Sequence, residues 1–256
     1  MPWTEVSARK AREKRRNWAG MIWLFVVALL FPMMPGVEGW MASEATLIIM
    51  YIMAAQGVSI LTGYTGLVTV GHGGFLAVGA YASALATKYF GTDLFTAIIV
   101  GAAAAAFVGC ALGFVFLRLS GAFMAIGTLG FAFFIGTVVN NVPIFEGREG
   151  ISLPTNHVLG FEIGDIGFFY VSLLALAGTT LFIYALVHSA VGRAFMSLRD
   201  SEKAAEASGV NRIFYRTLAF TLSAAVTGVA GVLFAHYVNY VSSEVFGDIW
   251  YSVDFL

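Results

Sequence analysis

The sequence predicts an all-α, polytopic bundle of membrane-spanning helices, and three observations carry the prediction. The composition is 59% hydrophobic with 11% charged residues, against about a quarter charged in soluble domains. Asp, Glu, Lys and Arg are absent from residues 17–37, 45–87, 94–117, 119–145, 166–192 and 217–243, and a spanning helix needs about 20 mainly apolar residues. The cations gather in two places, the amino terminus and the stretch from Arg193 to Arg216. With a net charge of -1 and no basic stripe, the chain offers nothing to nucleic acid.

Taken in order, the basic segment 1–17 carries Arg9, Lys10, Arg12, Lys14, Arg15 and Arg16 ahead of an apolar run. A secretory signal is the first reading to test. The apolar stretch 18–34 exceeds the roughly 7–15 residues of a signal core, and Trp40 occupies the place where a cleavage site would need a small residue. The stretch is therefore expected to stay as a first span. Further spans are expected at 45–61, 74–90, 94–117, 122–142, 167–188 and 217–240, about seven in all. The run 45–87 would be about 65 Å long as one helix, roughly twice the hydrocarbon thickness, so it must hold two passes. Gly63, Gly66, Gly71, Gly73 and Gly74 mark the break between them.

Cationic loops set the orientation. With the amino terminus in the cytoplasm, Arg118 and the 188–216 segment fall on the same side after the counted crossings. The remaining loops carry mostly acids: Glu38 and Glu44, Lys88 and Asp93, then Glu146, Arg148, Glu149, Glu162 and Asp165. The longest of them, 141–165, is rich in Pro and Gly and is expected to be irregular and large enough to touch a partner.

The segment between the last two spans is the most informative. Asp200 or Ser201 can cap a short helix, residues 202–208 favour one, and Gly209 stands where a left-handed residue ends it. A two-turn helix is too short to hold alone, so it is expected to rest on tertiary contacts and present its polar face to the cytoplasm. Gly192, Arg193, Ala194, Arg199, Asp200, Glu202, Ala204, Ala205, Glu206, Ala207, Gly209 and Asn211 resemble the coupling loop of ABC importer permeases. The form is that of the high-affinity branched-chain amino-acid permease family. The resemblance implies that this loop docks into a cytoplasmic ATPase subunit and passes its closure to the spans.

A second stretch, Gly63, Tyr64, Thr65, Gly66, Gly71, His72, Gly73 and on to Tyr81, is similar to the Gly-rich segment of the same family. A backbone break inside a bilayer is tolerated only where it faces protein or a water-filled path. These residues are therefore candidates for the substrate path, while helix packing is the competing use of small residues in membranes. For His72 both readings stay open, a hydrogen bond across the break or contact with solute. His236, near the end of the last span, is expected at the interface.

The resemblance covers the chain from about Tyr51 onward. It implies a permease subunit of an ATP-driven importer in a bacterial inner membrane. The expected partners are a second permease, two ATPase subunits that hold ATP and Mg, and a periplasmic solute-binding protein. Branched-chain amino acids are the expected cargo, with urea, short amides or aromatic acids as alternatives. Members continue past the point equivalent to Phe255 and Leu256, so the family fold is expected to extend beyond this chain.

What the residues lack agrees with a subunit that takes its energy elsewhere. No Gly-Lys pair exists, so there is no phosphate-cradling GxxxxGK[ST] loop. No expected span carries an acid, which disfavours a self-sufficient proton- or sodium-driven carrier, the second reading. HExxH, CxxC and GxSxG motifs are missing too, which disfavours a membrane enzyme. No metal ligand set is expected, and Cys110, the one cysteine, sits in an Ala/Gly-rich run as a packing residue.

Overall fold

The computed structural model describes residues 20, 23, 25–33, 39–119, 121–147, 149–153, 157–158, 161–162 and 164–242. Helices dominate it: α1 (Gly39–Val58), α2 (His72–Phe90), α3 (Leu94–Val115), α4 (Ala122–Asn141), α5 (Asp165–His188), α6 (Ala190–Asp200), α7 (Glu202–Ala207) and α8 (Arg212–Val238). Among the described residues, five helices are long and apolar enough to cross a membrane: Gly39–Tyr64, which is α1 with its extension, and α3, α4, α5 and α8. The chain is thus an all-α, multi-pass membrane protein. The expected crossing at 74–90 is the helix α2, 19 residues long. It is less apolar than the others because it is enclosed by protein, and a helix that meets little lipid needs no apolar exterior. The expected first crossing lies largely outside the described residues, as do the basic segment 1–17 and the end of the chain. Residues 25–30 are helical, and they lie against α5, where Tyr170 donates to the Leu29 carbonyl at 3.3 Å.

α8 is the hub, packing along α3, α2 and α1, while α5 packs on α1 and α4 on α2. Close approach is what the small residues provide, because two lipid-solvated helices gain most from dispersion contact. A methyl group on Gly79 of α2 would sit 2.3 Å from the Gly228 carbonyl oxygen of α8. The core divides into two apolar clusters. One joins Met53, Leu76, Tyr81, Phe168, Phe169 and Leu233, the other Ile60, Phe75, Phe131, Phe195 and Phe220.

The bundle has two unlike ends. At one lie the carboxyl ends of α1, α3 and α5, the helices α6 and α7, and the start of α8, with Arg199, Arg212 and Arg216 bonded to carbonyls of Gly63 and Leu117. At the opposite end the 141–165 segment covers the tip of α8. That segment, expected to be irregular, contains short strands. β1 (Ile151–Ser152) pairs antiparallel with β4 (Tyr240–Val241), in the register Ile151 to Val241 and Ser152 to Tyr240. β2 (His157–Val158) pairs with β3 (Phe161–Glu162). Ile151 and Val241 are wholly buried, the Tyr240 hydroxyl donates to the Glu149 carbonyl at 2.9 Å, and Lys88 forms an ion pair with Glu146. Prolines and glycines signalled turns here, but alternating buried residues won a strand pairing that local composition did not reveal. His236 is buried in α8 at this end rather than facing an interface.

Candidate coupling and path site

The loop expected at 188–216 is mostly helix. Ser189 starts α6 by accepting from the backbone N–H groups of Val191 and Gly192 at 3.1 and 3.3 Å, which satisfies two of the helix's orphan donors. Gly192, Ala194, Phe195 and Leu198 of α6 turn inward, and Arg193, Met196, Arg199 and Asp200 turn outward. Phe195 meets the Tyr215 ring edge-on at 6.3 Å between centroids.

Ser201 breaks this helix and caps the next, accepting from the Ala204 N–H at 3.3 Å. Of the two candidate caps, Asp200 and Ser201, the serine takes the role. α7 ends where Gly209 adopts φ +87°, with Gly209 N–H bonded to Glu206 O at 3.0 Å and Val210 N–H to Ala205 O at 3.0 Å. That paired closure is the Schellman arrangement, and its left-handed position is what glycine supplies cheaply. Asn211 caps α8 by accepting from the Phe214 N–H at 3.1 Å.

A charge cluster locks these pieces together. Glu202 lies 3.2 Å from the Arg212 guanidinium and forms an ion pair with Arg216, while Glu206 lies 3.9 Å from Arg212. Arg216 is only 3% exposed, so its charge depends on Glu202 and on the Leu117 carbonyl, which accepts from it at 3.4 Å. Glu202 therefore braces α7 against α8. Lys203, Glu206, Ala207, Ser208 and Gly209 remain on the exposed side, and Ala205 is buried. Arg212 and Arg216 escaped the sequence reading, although Glu202 and Glu206 match their i, i+4 spacing, a pattern that pairs one helix face with another.

The broken helix is also present. α1 continues through a π-helical turn, Ser59–Tyr64, and the carbonyl of Leu61 then accepts from Thr65 N–H, Thr65 Oγ1 and Leu67 N–H at 3.3, 2.6 and 3.0 Å. One of the carbonyls at the helix's carboxyl end is thus satisfied by donors of the chain that leaves it, as backbone away from water requires. Residues 65–71 form neither helix nor strand before α2 begins at His72, and Gly66 among them takes φ +70°. Their exposure alternates: Thr65, Leu67, Thr69 and Gly71 are buried, while Gly66 and Val68 face outward. The alternation gives the segment one packed face and one open edge.

The packed face is held by α4 and α8. The Val70 N–H donates to Thr128 Oγ1 at 3.1 Å, and any Cβ at Gly71 would sit 1.8 Å from the Thr128 carbonyl oxygen. His72 is 1% exposed, with Nδ1 3.3 Å from Thr69 Oγ1 and Nε2 2.8 Å from Ser223 Oγ. Ser223 in turn donates to the Gly57 carbonyl at 2.7 Å. Between the two readings of His72, these distances describe the hydrogen bond across the break. Gly71, Gly73, Thr65 and Tyr81 are likewise inside the packing, whereas Gly63 and Gly66 are exposed and Tyr64 is half-buried. Thr128 and Ser223 were not legible as partners, since a lone hydroxyl in an apolar run carries no local signal.

Among the described residues, no three His, Cys, Asp or Glu side chains gather to hold a metal ion. The two stretches singled out by sequence meet in space: Arg199 of α6 donates to the Gly63 carbonyl at 2.6 Å.

A family model described as the permease component of the branched-chain amino acid transport system matches residues 41–255. The high-affinity branched-chain amino acid transport system permease protein LivM of Escherichia coli K12 is 34% identical over 252 residues, covering 88% of this chain and 59% of that protein. LivM of Salmonella typhimurium is 33% identical, over 87% of this chain and 58% of that protein. The high-affinity branched-chain amino acid transport system permease protein LivH of Escherichia coli K12 is 24% identical over 76% of this chain and 69% of that protein. The chain thus spans somewhat over half the length of the two LivM relatives. No solved structure matches it.

Proposed function

Because the chain belongs to the branched-chain amino acid transport permease family, we propose that it is a permease subunit of an ATP-driven importer for branched-chain amino acids. The observation that carries the reading is the contact between α6 and the broken helix, since a subunit driven from outside needs a path from its docking surface to its solute route. In this reading the cation-rich end faces the cytoplasm of a bacterial inner membrane, in keeping with the positive-inside tendency. An ATPase subunit engages the exposed side of α7 around Lys203, Glu206 and Gly209, together with Arg193, Asp200 and Asn211. ATP and Mg are held by two such subunits. A second permease completes the route, as the resemblance to both LivM and LivH suggests, and a solute-binding protein delivers cargo to the 141–165 segment at the other end.

Within that route, the outward edge of the 65–71 segment, with Gly63, Tyr64 and Gly66, lines the path. His72, Gly71, Gly73 and Tyr81 support it from behind. Uptake of labelled leucine into cells tests the reading: deleting the chain should abolish high-affinity leucine uptake and leave urea uptake unchanged. Unchanged leucine uptake would refute the assigned cargo. Accumulation in vesicles without any ATPase subunit would favour a self-sufficient carrier instead.

A further inference from the structure

We infer that Arg199 is a positioning residue, a tie that makes the Gly63–Gly66 end of the segment that follows α1 move with α6. The inference rests on the importer reading and goes beyond it by naming the joint through which movement passes. Arg199 stands in the last turn of α6, and its side chain leaves that helix to donate to the Gly63 carbonyl at 2.6 Å. Gly63 belongs to the π-helical turn, where an inserted residue weakens the regular ladder and leaves carbonyls for outside donors. The same side chain lies over Gly66, whose φ is +70° and whose Cβ, if present, would meet Arg199 Cγ at 3.0 Å. One guanidinium stem therefore touches both sides of the turn by which the chain leaves α1.

The rest of the segment is fastened elsewhere. Val70 is bonded to Thr128 of α4, and His72 to Ser223 of α8. Those far anchors belong to the bundle, and Arg199 supplies the polar contact between α6 and residues 59–71. Displacement of α6 is thus transmitted at the Gly63–Gly66 end while the Val70–His72 end stays fixed, which rotates the exposed Gly66–Val68 edge. A charged donor to a carbonyl is stronger than a neutral one, which suits a joint that must bear load.

The test uses the assembled complex of this chain with its companion subunits in vesicles, with Cys110→Ala as background. Spin labels go at Met196→Cys and Gly63→Cys, both exposed positions. With Arg199 present, the distance between the labels should stay the same with and without ATP; in Arg199→Ala it should change on ATP addition. Leucine taken up per ATP hydrolysed should fall about tenfold in Arg199→Ala, and Arg199→Lys, which keeps a charged donor, should recover most of it. An Ala variant with an ATP-independent distance and unaltered leucine per ATP would overturn the inference, as would Lys behaving like Ala. Should Arg199→Ala fail to assemble, Arg199→Gln takes its place with the same expectations. ATP-dependent uptake by the unaltered complex checks the importer reading separately, so the two failures are distinguishable.

Discussion

A buried guanidinium and a missing methyl group decide much of the site. Arg216 is enclosed, and Glu202 is the carboxylate that makes its charge tolerable. Glu202 is itself partly exposed, so solvent screens part of the interaction and the loss on Glu202→Gln should be about 1–2 kcal/mol rather than the larger cost of an enclosed pair. Thermal unfolding in detergent should show it. Gly71 meets Thr128 so closely that even one added carbon must displace backbone. Gly71→Ala should therefore cost roughly 1–3 kcal/mol, read in the same assay, and Thr128→Ser, which keeps the hydroxyl for Val70, should cost less. Gly130 on the same helix has nothing within 4 Å of its added Cβ, and Gly130→Ala should leave unfolding within ~0.5 kcal/mol of the parent.

At the scale of elements, the short helix α7 was legible because each of its signals is local. Ser201 before it, helix-forming residues within it and Gly209 after it each act over three or four residues. Gly209→Ala forces a left-handed alanine and should cost about 1 kcal/mol, seen as faster amide hydrogen exchange across 202–210 with the bundle unaffected. α6 was less legible, read only as part of a loop. Its apolar positions Gly192, Phe195 and Leu198 keep a helical spacing, but they follow a span without a Gly or Pro to announce a new helix, only Ser189. The break at Gly63–Gly74 was visible as a cluster of glycines. What it does was not, because its partners Thr128 and Ser223 lie 58 and 151 residues away along the chain from Val70 and His72. Sequence patterning reports which residues share a face, and it is silent about which distant hydroxyl that face meets.

For the molecule as a whole, the charge-free runs were sufficient to predict a membrane bundle, since hydrocarbon admits few alternatives to helices. Their apolar character did not reveal the internal order. α8, the hub of the packing, looks much like its lipid-facing neighbours in composition, because small residues serve packing and Phe or Leu serve either solvent, and α2, enclosed as well, differs in being less apolar. The asymmetry of the ends emerges only from contacts: one end is stitched by arginines to backbone carbonyls, the other by strand pairing and the Lys88–Glu146 ion pair. The importer reading needs the arginine end to be where nucleotide is.

Chemical access to Lys203 on the exposed side of α7 tests that requirement most directly. A chain carrying Lys203→Cys and Cys110→Ala, produced without ATPase subunits, is treated with a membrane-impermeant maleimide in spheroplasts and in inverted vesicles. Labelling confined to inverted vesicles is the expected result; labelling in intact spheroplasts would contradict the account.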